Sequence, residues 1–130
     1  MSLEPADQLP AFLLYAKDWL NSESVSTMTY EEKGVYIDLL CIAWTKVGLP
    51  KDEAKIARLL GLTRPAFRKI WRTIGEHWEP SGERLFNPRM EEVRKKANAN
   101  ERVKEIRRIQ AKEAADKRWA AERARNAEAA

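Results

Sequence analysis

The sequence predicts a mainly α fold: a helix-turn-helix/winged-helix domain with a small β-hairpin wing and a long C-terminal helix. Three observations carry this reading. Residues 52–74 have the spacing of two helices meeting at a tight turn, residues 77–87 place two short aromatic-bearing segments around a Pro/Gly turn, and residues 89–130 contain neither Pro nor Gly. The expected division is a domain over 1–88 followed by a charged helix over 89–130.

Residues 1–10, polar and with two prolines, read as a loosely held arm. Residues 10–28 read as an N-terminal apolar segment and loop. Within them, 11–20 is short and strongly apolar and fits a strand leading into a turn of helix, while 21–28 is Ser/Thr-rich. Thr29 followed three residues later by Glu32 is a capping box, which starts a long helix. Tyr36, Leu40, Ala43, Trp44 and Val47 line one face of it, and Val35, Leu39 and Ile42 another, so this helix should be the hub of the core. Gly34 is expected to permit close packing, Cys41 to be a buried thiol behaving as a small hydrophobe, Asp18 upstream to be a cap, and Gly48-Leu49-Pro50 to end the helix.

Asp52 is the expected N-cap of the next helix, which runs to about Leu60 and breaks at Gly61. Another helix starts after Thr63, has Pro65 in its first turn where a missing N–H costs nothing, and runs to Ile74, with Gly75 closing it. The diagnostic spacing is Ala57, Gly61, Phe67, Ile70: a small residue for close crossing, a glycine for the turn, and two apolar residues that pin the second helix. Ile56, Leu59, Leu60 and Leu62 are expected to fill the other inward sites. In the hairpin, Trp78 and Phe86 are expected to cover the core, and Pro88 restarts the chain as helix.

Composition narrows the function classes. A hydrophobic fraction of 44% with five tryptophans suffices for a core, and no apolar run approaches the roughly 20 residues of a membrane helix. With no basic-then-apolar leader, a cytoplasmic protein is expected. One cysteine and one histidine supply neither a metal site of the usual ligand count nor a Ser-His-Asp or Cys-His arrangement. No enzyme, metal or cofactor is therefore expected.

The net charge of +4 is unevenly distributed. Residues 1–50 carry three basic and seven acidic side chains, residues 51–75 seven and two, residues 76–88 one and three, and residues 89–130 thirteen and eight. Two basic islands on a mildly acidic chain point to a localised polyanion-facing surface. Phe67, Ile70, Trp71 and Ile74 follow i, i+3, i+4, i+7 and should face inward. That leaves Arg64, Arg68 and Arg72 outward, with Lys69 beside them and Thr63 at the helix N-terminus, where its hydroxyl can meet a phosphate. Such a helix can enter a major groove, where arginine pairs with guanine or contacts phosphates. The wing adds one further candidate DNA contact, Arg84, against Glu79 and Glu83.

Three patches, Tyr15-x-x-Asp18-Trp19-Leu20, Gly34-x-Tyr36-x-x-Leu39-Leu40-x-x-x-Trp44 and Leu49-Pro50, together with Asn87-x-Arg89, resemble a phage and prophage family of unknown function typified by the YdaU protein. The similarity covers roughly residues 12–95. It implies a winged-helix fold and a role near phage DNA replication or helicase loading, with a helicase or its loader as partner, and brings no active site with it.

Residues 89–130 admit three readings: a basic helix that also touches DNA through Arg94, Lys95, Lys96, Arg107, Arg108, Lys117 and Arg118; an oligomerisation helix; or a tail whose last 15 or so residues lose order. Met90, Val93, Ala97 and Asn100 fit a short apolar seam, continued imperfectly by Val103, Ile106 and Ile109, without a sustained heptad. The oligomerisation candidates are Val93, Val103, Ile106, Ile109 and Trp119. The expected function is DNA binding in replication initiation or helicase loading. A protein-interaction module that does not read DNA, and a transcriptional regulator, are the alternatives.

Overall fold

The computed structural model describes residues 9–129, so residues 1–8 of the expected arm lie outside the described residues. In chain order the elements are α1 (Ala16–Asn21), α2 (Glu23–Ser26), α3 (Tyr30–Lys46), β1 (Leu49–Pro50), α4 (Glu53–Leu60), α5 (Arg64–Ile74), a 3-10 turn (Gly75–His77), β2 (Glu79–Ser81), β3 (Arg84–Phe86) and α6 (Pro88–Ala129). The strands form one antiparallel sheet in the order β1-β3-β2. This is a mainly helical domain with a small sheet and a long C-terminal helix, as the sequence predicts.

The capping box at the start of α3 is complete: the Thr29 hydroxyl accepts from the Glu32 N–H at 3.1 Å, and the Glu32 carboxylate accepts from the Thr29 N–H at 2.8 Å. Tyr36, Leu39, Leu40, Ala43 and Trp44 are buried. Around α3 gather Val25, Met28, Leu49, Ile56, Ala57, Phe67, Ile70, Ile74, Trp78 and Met90, so α3 is the hub. Two expectations on it fail for one reason. Gly34, Asp38, Cys41 and Thr45 form an exposed stripe at helical spacing. The Cys41 thiol is therefore exposed, and a Cβ added at Gly34 would meet nothing within 4 Å. Leu39 and Leu40 take the inward directions between them.

The N-terminal segment also differs from expectation. Residues 11–15 are irregular, not a strand, and α1 follows. The predicted loop contains α2, whose first turn is capped by the Ser22 hydroxyl accepting from the Val25 N–H at 3.3 Å. Asp18 caps nothing; it pairs with Arg89.

At the end of α3 the chain turns sharply. Val47 has φ 57°, unusual for a β-branched residue, and Gly48 has φ 98°. A Cβ at Gly48 would lie 2.9 Å from the Phe86 ring and 3.0 Å from the Leu85 carbonyl oxygen. The absent side chain lets β1 pair with β3, Leu49 facing Leu85 and Pro50 facing Arg84. This two-residue strand is too short for any periodicity to announce it.

Asp52 caps α4 by accepting from the Ala54 N–H at 3.0 Å, and Gly61 ends it at φ 69°. Ile56 and Ala57 are buried and Leu60 partly so, but Leu59 is 42% exposed, because at 100° per residue it points well away from the face those three share. α5 then crosses the hub with Phe67, Ile70 and Ile74 buried. Gly75 stays in right-handed geometry; its missing side chain makes room for Trp71, which a Cβ would approach to 2.9 Å. The hairpin closes through a two-residue loop with Gly82 at φ 60°, the position a primed turn reserves for glycine.

α6 is one uninterrupted helix of 42 residues. Its first turns dock on the domain through Met90 and Arg94, with Val93 and Ala97 partly buried. No helix among the described residues is long and apolar enough to cross a membrane.

Candidate nucleic-acid interface

α5 owes its orientation to its two ends and its apolar face. The Thr63 hydroxyl accepts from the Ala66 N–H at 3.4 Å, and Pro65 supplies a fixed φ in the first turn. Phe67 and Trp71 stack with ring centroids 5.3 Å apart, and Phe67, Ile70 and Ile74 are buried. The helix is thereby held by one face, and Thr63, Arg64, Arg68, Lys69 and Arg72 are all exposed on the rest. No acidic residue lies between Arg64 and Ile74. Arg64 to Arg72 spans two turns, about 12 Å along the axis, with Arg58 of α4 also exposed.

The wing does not extend this basic face. Arg84 is turned inward, its Nε donating to the Val47 carbonyl at 3.1 Å and its Nη2 to the Gly48 carbonyl at 2.7 Å. Glu79 and Glu83 are exposed, so the hairpin presents carboxylates outward. Trp78 is buried and Phe86 half-buried against the turn after α3, as expected of core cover.

Arg94 is also not free to meet a polyanion. It is 6% exposed. Its Nη2 donates to the Ala43 carbonyl at 3.0 Å, its guanidinium sits 4.6 Å from the Trp44 ring centroid, and its Nε pairs with Glu91 at 3.3 Å. A cation thus meets the last turn of α3, at the negative end of the helix dipole. Of the other cations on α6, Lys95, Lys96, Arg107, Arg108, Lys117 and Arg118 are exposed.

A second feature was not anticipated. An apolar groove of about 330 Å³ lies between residues 12–15, α1, α3 and the start of α6. Trp19, Tyr36 and His77 stack in series along it, with centroids 5.7 and 5.1 Å apart. The Asn87 Nδ2 donates to the Tyr36 hydroxyl and to the His77 carbonyl, both at 3.1 Å, and its Oδ1 accepts from the Met90 N–H at 2.9 Å. Burial pushes the Tyr36 phenol above its ordinary value, partly offset by the Asn87 hydrogen bond and the charge of Arg89. Tyr15, Asp18, Trp19, Tyr36, Asn87 and Arg89, scattered over the sequence patches quoted above, converge here. Their recurrence as aromatic and polar landmarks was the available signal, but nothing in their spacing says that they meet.

Val93, an oligomerisation candidate, belongs to the groove and packs against the domain's own core. Val103, Ile106, Ile109 and Trp119 are exposed. Among the described residues no group of three or more His, Cys, Asp or Glu side chains is placed to hold a metal ion.

No curated protein and no solved structure matches the chain. Residues 12–93, which hold the groove, α5 and the sheet, match a family described as protein of unknown function (DUF1376), and the chain belongs to that family.

Proposed function

We propose that this is a winged-helix protein that binds DNA through α5, acting in replication initiation or helicase loading in a phage or prophage setting. The order α3-β1-α4-α5-β2-β3, with β3 between β1 and β2, supports the winged-helix assignment. The observation that carries DNA binding is the outer face of α5: four cations, no anion of the helix's own, and a buried opposite face that fixes their direction. Arginines in that position can reach guanine edges or phosphates, with Thr63 at the helix N-terminus beside them. With Arg84 bound to backbone and carboxylates on the hairpin, α5 is the reading element and the wing is a brace. The replication setting rests on the family resemblance of the sequence patches.

The test is fluorescence anisotropy with a short labelled duplex and the matching single strand at low salt. Binding is expected, and Arg68→Glu with Arg72→Glu should weaken it by at least about tenfold while leaving the unfolding midpoint nearly unchanged. Failure of both DNA forms to bind at low salt ends this reading. The second reading, a protein-interaction module, is favoured by the exposed apolar groove.

A further inference from the structure

We infer that residues 104–119 of α6 form a second nucleic-acid site, one that holds a single strand by its phosphates and stacks a base on Trp119. At about 100° per residue, Lys104, Arg107, Arg108, Lys112, Arg118 and Trp119 fall within an arc of about 140° on one side of the helix. Within this stretch only Ala111 and Ala115 share that arc, and no acidic residue does. The acids of the same stretch, Glu105, Glu113 and Asp116, gather within about 80° on another side. Glu101 and Glu122 bound the cationic face, which runs for about 22 Å from Lys104 to Trp119.

A solvated helix does not call for this segregation. Lys104, Arg108 and Lys112 repeat at four-residue spacing, where like charges destabilise a helix. All five cations are exposed. Lys104 meets Glu101 at 3.4 Å and Arg108 meets Glu105 at 3.1 Å, exposed pairs weak enough to yield to a phosphate. Arg107, Lys112 and Arg118 make no ion pair among the described residues. Met90, Val93, Arg94 and Ala97, through which α6 docks, lie in the same arc. Past Ala97 the helix adds nothing to the domain's core, so the side that is covered upstream is open here.

Trp119 selects the kind of polyanion. It is 62% exposed and follows Lys112 and Ala115 at seven and four residues in one line, with Arg118 beside it. The small side chains of Ala111 and Ala115 leave room for a base among the cations. Bases of a duplex are stacked on one another, whereas those of a single strand can splay onto an aromatic ring. A helix seated in a major groove also has phosphates on both flanks, and Glu105, Glu113 and Asp116 would face one of them. A single strand tracks the cationic side alone. The site is separate from α5 and stands whether or not α5 binds DNA.

The experiment uses the full chain carrying Arg68→Glu and Arg72→Glu, which disables α5 and leaves α6 intact. At low salt a labelled ten-nucleotide oligo(dT) should bind it and quench its tryptophan fluorescence. Trp119→Ala, at an exposed position outside the core, should abolish most of the quenching and weaken binding by at least about fivefold, the lower end of what one base–aromatic stack contributes, with far-UV helicity retained. An abasic strand of equal length keeps the phosphates and loses the stack, so it should bind more weakly and be indifferent to Trp119→Ala. Oligo(U) run alongside tells RNA from DNA as the source, and tighter binding of either supports the inference. Absence of oligonucleotide binding overturns it. So does binding that ignores Trp119→Ala, or that is as tight for the abasic strand or tighter for a duplex. Duplex binding by the chain with native α5 is read separately, so the two sites fail independently.

Discussion

The Nη2 of Arg84 lies 2.7 Å from the carbonyl oxygen of Gly48, and the same guanidinium donates through Nε to the carbonyl of Val47. A wing residue thus clamps the turn in which Val47 sits at positive φ. Arg84→Ala should lower stability by about 1.5–2 kcal/mol, the scale of hydrogen bonds from a charged donor. Well below the unfolding midpoint it should leave DNA affinity unchanged. Urea denaturation and anisotropy, run in parallel, separate the two effects. Loss of affinity without loss of stability would return Arg84 to the interface.

Two glycines of neighbouring sequence should respond to alanine with opposite signs. Gly48→Ala forces a Cβ into the Phe86 ring at a φ that L residues avoid, and should cost about 2 kcal/mol or more. Gly34→Ala adds a methyl to open space on an exposed helical face and should stabilise by up to about 1 kcal/mol through helix propensity. Urea midpoints decide both.

Arg94 joins α6 to α3 through its charged end, which meets a backbone carbonyl and the face of the Trp44 ring. Arg94→Ala removes the donor to Ala43 and the cation over Trp44, and should cost about 2–3 kcal/mol. Arg94→Lys should recover part of that, since it keeps the charge but not the planar fork. Thermal denaturation followed by Trp fluorescence reports the change directly, because Trp44 is the stacked ring.

If α5 binds DNA as proposed, its four cations limit how steeply that binding can depend on salt. With about 0.9 per neutralised phosphate, the slope of log affinity against log salt should be near −3 to −4. A slope of about −6 or steeper would bring in the cations of α6. Repeating the titration with Lys69→Gln should reduce the slope by about one.

Stability should fall at both ends of the pH scale for identifiable reasons. Tyr36 holds its proton more tightly folded than unfolded, so its contribution is complete below about pH 10 and is lost as pH rises through the raised folded value. Glu32 is the reverse case. Its carboxylate is held below the ordinary range, first by the Thr29 N–H and then by the Thr73 hydroxyl, so its contribution is present above about pH 4.3 and is lost as pH falls through the depressed value. Urea titrations across pH should show Tyr36→Phe flattening the alkaline limb and Glu32→Ala flattening the acid limb.

Helices α3, α4 and α5 were legible because their signals are local. Thr29/Glu32, Asp52, Gly61, Thr63 and Pro65 each mark a boundary through backbone chemistry within four residues, and each marks it in the structure. The basic face of α5 followed from periodicity alone. What stayed hidden depends on distant partners. Arg84 and Arg94 look like surface cations in sequence, yet each bonds carbonyls 36 to 51 residues away. The groove is assembled from four separate segments, and Cys41 faces outward because its neighbours Leu39 and Leu40 hold the inward directions.

From Ala97 onward α6 is a stiff arm of about 48 Å, rooted in the domain through Met90, Val93, Arg94 and Ala97. Anything that grips its far end, near Trp119, works on that root with a long mechanical advantage. A tilt of about 5° at Arg94 displaces the tip by about 4 Å, and a pull on the tip is delivered to the Ala43 and Trp44 carbonyls that Arg94 holds.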